Sequence, residues 1–401
     1  MDKEQLDNLL AAMVEYQEGI SDLLFITGRP MQVETQGELK PFVHELADAS
    51  LTSERIEELS NVVINNNPRL LQDLREHGSC DCGYTLKNSC RFRVNIYKQN
   101  DNYAMVMRHL KPLIPTFDTL NLGPSFREII KEQNGIIFVT GGTGMGKTTT
   151  IAAMLNEINQ TRNIHILTLE DPIEFVLMPI KATFSQRELG RDFYSFQKGM
   201  RAAMREAPKI IFIGEIRDRE TMEIVLNAGE TGHLVFSTLH TTNAAMTVNR
   251  VIGMFGTEEE QQIRERLAGA MRYVISQRLV PSIAGGRLLV TEMMGSNLRT
   301  REAIMLGEGE GRQLHDIIEA GSVYGWHSFE QSLFKAYEQD LITDETALLY
   351  CTNKPKMVQR IDAISLKKPR KSSDDAALFA NLKMQEEAKR KDKPAPPTFD
   401  L

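Results

Sequence analysis

Short apolar segments alternate with amphipathic segments through the middle of the chain. Four of them are apolar and rich in β-branched side chains, which predicts buried strands. They are residues 136–140, 165–169, 210–214 and 234–238. Apolar residues recur at helical spacing around them, in residues 127–132, 148–159, 193–206 and 219–228. This alternation predicts an α/β fold in which helices cover a mainly parallel sheet.

The first 112 residues follow a different pattern. Apolar residues recur at helical spacing near the start, at Leu6, Leu9, Leu10 and Met13. Residues 91–97 and 103–108 alternate polar and apolar positions around a polar connection, which predicts a β-hairpin. We therefore expect a smaller α+β domain over residues 1–112, separated from the rest by the prolines of segment 110–115.

The end of the chain divides into a helical part and a charged tail. A further strand is predicted over residues 286–293, and shorter helices follow to about residue 364. We therefore assign residues 113–365 to a second domain with a helical C-terminal part. Residues 366–401 are rich in Lys, Arg and Pro, which predicts a largely disordered tail. A short helix over residues 376–389 is the alternative for part of it.

Composition narrows the class of protein. The chain has 401 residues with 41% hydrophobic and 25% charged residues, as ordinary globular proteins of two or three domains have. A net charge of −7 argues against broad nucleic-acid binding. Cys80, Cys82 and Cys90 lack zinc-ribbon spacing, so we interpret them as strand and turn residues. With neither a long apolar run nor a signal peptide, we expect a cytoplasmic protein without a membrane span.

Residues 141–148 read GGTGMGKT and fill the pattern G-x-x-x-x-G-K-[ST]. They lie between a predicted strand and a predicted helix, which is the context of a phosphate-binding P-loop. Backbone N–H groups would surround a triphosphate, Lys147 would reach its β- and γ-phosphates, and Thr148 would hold Mg²⁺. The alternative is a glycine-rich turn without a ligand. The predicted binding residues are Gly141, Gly142, Thr143, Gly144, Met145, Gly146, Lys147, Thr148 and Thr149.

Polar residues end three of the predicted strands. Glu170 ends the strand after the P-loop and could orient water or Mg²⁺, because carboxyl ends of parallel strands face the nucleotide crevice. Glu215 follows the apolar run IIFIG, the form of a Walker B element, and would serve water or the metal. His240 could sense the γ-phosphate. A solvated turn, a surface cap and a structural histidine are the alternatives at these three positions.

Arginines are expected because charge develops on the phosphoryl oxygens during transfer. Arg93 and Arg108 lie on the predicted hairpin, and Arg201 and Arg205 lie four residues apart on the predicted helix 193–206. The hairpin pair belongs to the other domain, so its use requires a domain movement or a neighbouring subunit. A solvated surface position is the alternative for each.

Together these clusters resemble the motor ATPases of type IV pili and type II secretion. In that family a P-loop is followed by an acidic box like residues 168–175, a Walker B strand like that ending at Glu215, and a histidine box like residues 232–240. The resemblance implies that ATP and Mg²⁺ are bound and that Arg93 and Arg108 act near the nucleotide. It also implies a PAS-like N-terminal domain, a RecA-like P-loop core and a ring-shaped homo-hexamer.

The tetracysteine motif of the assembly and secretion ATPases has no counterpart after Glu215. Its absence favours the retraction branch, the PilT-like and PilU-like proteins. Residues 301–308 are a poor copy of the retraction motif of PilT-like members. Together with the charged tail, this departure favours a PilU-like accessory retraction ATPase. Met145 also stands where the family usually has a small polar residue, but backbone amides carry the binding.

We therefore predict a hexameric ATPase that powers or assists pilus retraction and twitching motility from the cytoplasmic base of a pilus. The resemblance implies two partners, a PilT-like paralogue and an inner-membrane platform protein. An assembly or type II secretion ATPase is one alternative. A RecA-like nucleic-acid motor and a ring subunit that binds ATP but acts only with a paralogue are the others. The acidic net charge disfavours the nucleic-acid motor.

Overall fold

A computed structural model describes residues 1–35, 37–86, 90–110 and 114–365. The predicted tail 366–401, with its alternative helix, lies outside the described residues, as does the middle of the proline-containing segment 110–115. Within the described part, the helices are too short or too polar to cross a membrane.

The N-terminal part is a six-stranded antiparallel sheet with three helices. Its elements are α1 (Lys3–Glu15), β1 (Ile20–Ile26), β2 (Gln32–Thr35), β3 (Glu38–Pro41), α2 (Ser53–Ile64), α3 (Pro68–Glu76), β4 (Ser79–Leu86), β5 (Cys90–Gln99) and β6 (Asn102–Leu110). The strand order is β3-β2-β1-β6-β5-β4. Helix α1 begins with a capping box between Asp2 and Gln5, and its predicted apolar face is buried in the core. The predicted hairpin is confirmed as β5 and β6, with Arg93 opposite Arg108.

The central part is a seven-stranded sheet with helices on both faces. Its elements are α4 (Pro124–Ile129), β7 (Gly135–Thr140), α5 (Lys147–Thr161), β8 (His165–Glu170), β9 (Thr183–Glu188), α6 (Phe196–Ala203), β10 (Ile210–Ile213), α7 (Arg219–Glu230), β11 (Leu234–Leu239), α8 (Ala244–Ile252), α9 (Glu260–Ala270), β12 (Met271–Pro281) and β13 (Arg287–Gly295). The order is β13-β12-β7-β11-β10-β8-β9. Neighbours are parallel except β12 and β13, which confirms the predicted sheet.

Burial on both faces explains why the central strands are mostly apolar. Every residue of β7, β10 and β11 is buried. Ile136 and Phe138 pack in one hydrophobic cluster, whereas Ile137 and Val139 pack in the other. Because successive side chains of a strand point to opposite faces, this division places one cluster on each side of the sheet.

Short helices follow the β12–β13 hairpin in the chain. They are α10 (Leu298–Leu306), α11 (Leu314–Ala320), a 3₁₀ turn at Ser322–Tyr324, α12 (Phe329–Glu338), α13 (Asp344–Tyr350) and α14 (Lys354–Ser365). Phe329 and Leu333 of α12 pack with Val280 and Val290 of the hairpin. The predicted helical C-terminal part is therefore confirmed.

Two predicted helices differ from those observed, and two central strands were not predicted. The helix expected at 193–206 is only α6, and the helix expected at 127–132 is α4, which starts earlier and ends at Ile129. Strand β9 was missed because its sequence, TFSQRE, is largely polar. Strand β12 was missed because it follows α9 directly, with no residue between Ala270 and Met271.

A glycine beside the single tryptophan tests the packing of the C-terminal helices. Trp326 is buried, and a Cβ at Gly321 would overlap its ring. Gly321 has φ −85°, so alanine changes the sterics without straining the backbone. We expect Gly321→Ala to lower the free energy of unfolding by about 1–3 kcal/mol, measured by urea unfolding and tryptophan fluorescence.

The matched control is Gly269→Ala. Gly269 lies in α9 with open space where its Cβ would be, so this change is expected to be neutral or stabilising. Equal stability of Gly321→Ala and the unmodified protein would contradict the packing described.

Candidate nucleotide-binding site

A cleft of about 780 Å³ opens where the parallel strands end. It is lined by P-loop residues, by residues after β8, β10 and β11, and by β5 and the β12–β13 hairpin. The polar residues that matter for phosphate chemistry are Arg93, Thr143, Lys147, Thr148, Thr149, Glu170, Glu174, Glu215, Arg217, His240 and Arg287. Since Arg93 belongs to the N-terminal sheet, the cleft lies between the two parts of the chain.

Two glycines shape the P-loop between β7 and α5. Gly141 has φ +145°, and a Cβ there would lie 2.7 Å from the carbonyl oxygen of Gln277. Gly146 caps α5 in the left-handed region, with φ +79°. The loop therefore turns tightly against β12 and presents the N-terminus of α5 to the cleft, where its dipole favours an anion.

Lys147 is folded back on its own loop. Its Nζ donates to the carbonyl oxygens of Gly141 at 2.8 Å and Gly142 at 3.0 Å. Burial lowers the pKa of Lys147, and the nearby carboxylates of Glu215 and Glu174 oppose that shift. A phosphate oxygen arriving in the cleft can replace these carbonyls as the acceptor, because both are weaker partners for an ammonium.

The β12–β13 hairpin makes further contacts with the P-loop and with the start of α5. The N–H of Leu279 lies 3.4 Å from Met145 Sδ, and Arg287 donates to the carbonyl oxygen of Gly144 at 3.4 Å. Gln277 donates to Thr150 Oγ1 in the first turn of α5 at 2.7 Å. Met145 thus packs against β12 and also lines the cleft.

Glu215 and His240 meet at the ends of β10 and β11. His240 Nε2 lies 3.5 Å from Glu215 Oε1, and Arg217 donates to Glu215 Oε2 at 2.9 Å. The hydroxyl of Thr238 donates to the carbonyl oxygen of Gly214, which joins the two strand ends. The histidine is therefore part of a polar cluster and not an isolated side chain.

Glu170 is a buried acid, unlike the more exposed Glu215. It ends β8, is only 4% exposed, and its Oε1 accepts from Thr168 Oγ1 at 2.7 Å and from Gln186 Nε2 at 3.4 Å. Burial raises its pKa to about 7, although these hydrogen bonds oppose the shift. A carboxyl that titrates near neutral pH can accept or donate a proton, as a general base requires.

Of the four predicted arginines, one lines the cleft and three do not. Arg93 lines the cleft, but Arg108, opposite it in the hairpin, does not and bonds Asp22 Oδ1 at 2.9 Å. Arg201 is exposed on α6 away from the cleft lining. Arg205 does not line the cleft either. The prediction that it shares a helix with Arg201 is wrong, because α6 ends at Ala203.

Two arginines of the cleft were not predicted. Arg217 follows Glu215 by two residues, and this proximity in sequence was the available signal. Arg287 begins β13 far along the chain, so only the sheet topology brings it to the P-loop. The three clustered cysteines, Cys80, Cys82 and Cys90, are strand residues of β4 and β5.

Comparison with known proteins gives the family. The sequence profile of the Type II/IV secretion system protein family matches residues 84–321. The chain belongs to this family. The type IV pilus retractation ATPase PilT of Pseudomonas aeruginosa is 37% identical over 331 residues, which span 82% of this chain and 94% of that relative. The type IV pilus ATPase PilU of the same organism is 32% identical over 348 residues, which span 86% and 88%.

A solved structure of the pilus retraction motor PilT with bound ADP has the same architecture. Its TM-score is 0.78 at 36% identity, and the match covers 90% of this chain and 99% of that one. This secretion-family match confirms the predicted fold class, a P-loop core with a smaller α+β N-terminal part and C-terminal helices. The relatives do not separate the PilU-like from the PilT-like interpretation, since both match over most of the chain.

The raised pKa of Glu170 predicts a specific pH dependence of stability. Its pKa is about 7 in the folded protein against 4.5 ordinarily, so the folded state binds more protons between these values. The unmodified protein should therefore lose stability relative to Glu170→Gln as pH rises from 4.5 to 7, by roughly 2–4 kcal/mol in total. Urea unfolding of both nucleotide-free proteins between pH 5 and 8.5 measures it. A difference that does not vary with pH would contradict the burial of an ionisable carboxyl here.

Proposed function

We propose that this chain is a Mg²⁺-dependent ATPase motor subunit that powers or assists retraction of a type IV pilus, and with it twitching motility. Family membership identifies the chain as a nucleotide-binding ATPase. The observation that carries the proposal is one cleft holding Lys147, Glu215, His240 and Glu170, on a chain whose relatives over most of its length include two named type IV pilus ATPases.

Each group of the cleft has a proposed role. Backbone amides of residues 142–148 and the ammonium of Lys147 bind the phosphates. His240 and Arg93 line the cleft together with the P-loop, and there they would donate hydrogen bonds to the γ-phosphate oxygens. Glu170, with its pKa of about 7, is the candidate base for the attacking water, and Glu215 orients that water together with His240.

The residues of the cleft also suit Mg²⁺. The hydroxyl of Thr148 and the carboxylate of Glu215 line the same cleft and are oxygen donors, the ligands that Mg²⁺ prefers. These two residues would hold the ion, which when bound neutralises charge on the β- and γ-phosphate oxygens. The carboxylate of Glu215 is held by Arg217, which fixes its direction.

The motor role needs the two parts of the chain to move relative to each other. Arg93 reaches the cleft from the N-terminal sheet, so a change at the γ-phosphate can alter the contact between the sheets. We propose that six copies form a ring at the cytoplasmic base of the pilus and act on an inner-membrane platform protein. A PilU-like subunit would do so beside a PilT-like paralogue.

Three alternatives remain distinguishable by experiment. An assembly or secretion ATPase would support pilus or protein export and not retraction. A nucleic-acid motor would show ATPase activity that rises with single-stranded DNA, which we do not expect for a chain of net charge −7. A subunit acting only with a paralogue would turn over ATP slowly alone and faster when mixed with that paralogue.

Two substitutions test the chemistry of the cleft. Lys147→Ala should abolish ATP hydrolysis, because the phosphates lose their only P-loop cation. Glu215→Ala should lower kcat by roughly 10²-fold or more, because the water or metal loses its carboxylate. Steady-state phosphate release by the purified protein measures both.

The control is Glu223→Ala, which removes an exposed carboxylate from α7, the helix that follows Glu215 in the chain. Its activity should equal that of the unmodified protein. Full activity of Glu215→Ala would refute the role given to that residue.

Deleting the gene tests the direction of the motor. A retraction ATPase should leave cells that carry surface pili but do not twitch, because pili are assembled and not withdrawn. Surface pilus counts and twitching zones measure this, with the intact gene restored in trans as the control. Cells without pili would indicate an assembly ATPase instead.

A further inference from the structure

A buried ion pair joins the two parts of the chain beside the cleft. Arg91 of β5 and Glu188 of β9 form a salt bridge, and these residues are 9% and 4% exposed. Neither residue lines the nucleotide cleft. We call this pair the interdomain latch. Buried charges are costly unless fully hydrogen-bonded, so the bonds around the latch show what it holds in place.

Arg91 donates from all three of its guanidinium nitrogens. Nε donates to the carbonyl oxygen of Ile173 at 2.8 Å, Nη1 to Thr85 Oγ1 at 3.0 Å, and Nη2 to Glu188 Oε2. Ile173 lies in the acidic turn that follows Glu170. The fork of the guanidinium therefore binds its own sheet, strand β9 and the acidic turn at once, which a lysine could not do.

Glu188 completes the connection from the other side. Its Oε1 accepts from the backbone N–H of Gly83 in β4 at 3.3 Å, and its Oε2 accepts from the N–H of Ile173 at 3.2 Å. In the parallel pairing of β8 and β9, Glu188 lies directly beside Glu170. The latch is thus one strand away from the buried acid of the cleft.

We infer that Arg91 and Glu188 are positioning residues that hold Arg93 in the nucleotide cleft of the same chain. Arg93 lies two residues from Arg91 on β5, and residues at this spacing share a face of the strand. Because Arg91 is bound to β9 and to the acidic turn, this part of β5 is held in position, and Arg93 lines the cleft. This inference rests on the proposed function, since it concerns the rate of ATP hydrolysis.

The opposing explanation is that the pair only stabilises the contact between the sheets. The two explanations differ in how the latch and Arg93 combine. If the latch acts through Arg93, breaking the latch does not lower kcat further in a variant that already lacks Arg93. If the pair only stabilises the contact between the sheets, any decrease in kcat from losing the latch is independent of Arg93. The two decreases in kcat then multiply in the double variant.

The experiment is a double-mutant cycle with Arg91→Lys and Arg93→Ala. Lysine keeps the charge opposite Glu188 but loses the guanidinium fork, so the chain is expected to fold. Arg91→Lys should lower kcat for ATP by about ten- to a hundredfold, because a small misplacement near the reacting groups has an effect of this size. KM for ATP should change less than twofold. In the Arg93→Ala background, Arg91→Lys should lower kcat by less than twofold.

Controls separate this inference from the proposed function. Arg187, the neighbour of Glu188 on β9, forms a partly exposed ion pair with Glu206 and donates to the carbonyl oxygen of Asp192. Arg187→Met removes both interactions and should leave kcat unchanged. Glu188→Gln repeats the cycle from the other side of the latch, and thermal melting verifies that each variant is folded. If Arg91→Lys is unfolded, the cycle with Glu188→Gln decides.

Each outcome has a defined meaning. Absence of ATP hydrolysis by the unmodified protein would refute the proposed function itself. Hydrolysis that depends on Lys147, together with unchanged kcat in the latch variants, would overturn only the latch. Losses of kcat that multiply in the double variant would also overturn it, because the pair would then act independently of Arg93.

Discussion

The structure depends on burying both faces of the parallel strands β7, β11, β10 and β8. Because helices cover each face, the strands are mostly apolar along their length, and the ionisable residues of the cleft lie at or just beyond their ends. Glu170, Glu215 and His240 lie there, and the P-loop follows β7 at the same edge. The arrangement of the cleft is thus a consequence of how the sheet is covered.

Two acids of the cleft, Glu170 and Glu215, differ in burial and in their electrostatic partners. Glu170 is buried and its pKa is raised to about 7 by desolvation, whereas Glu215 is more exposed and held by Arg217 and His240. One carboxyl is suited to moving a proton near neutral pH, and the other to holding a cation or orienting water. Lys147, whose pKa burial lowers, supplies positive charge near Glu215. The buried pair of Arg91 and Glu188 then links this centre to the N-terminal sheet.

The sequence predicts the parts of this protein that depend on local pattern. Apolar runs identified β7, β8, β10 and β11, and the P-loop motif placed Lys147 at the start of α5. Strand pairing between distant parts of the chain could not be predicted from the sequence. Strand β9 is polar because its side chains serve the site and the latch, and Arg287 reaches the P-loop only through the β12–β13 hairpin. Helical spacing placed Arg201 and Arg205 on one predicted helix, but α6 ends between them.

A structure of the purified protein with Mg²⁺ and a non-hydrolysable ATP analogue tests the central claim most directly. That claim is that one cleft, formed by strand ends of one sheet and a strand of the other, binds the triphosphate. We predict phosphates against the backbone amides of residues 142–148, with Lys147 turned from its own carbonyls toward them and Arg93 of the same chain within hydrogen-bonding distance. A triphosphate bound elsewhere, or phosphates remote from Glu215, Glu170 and His240, would contradict the account.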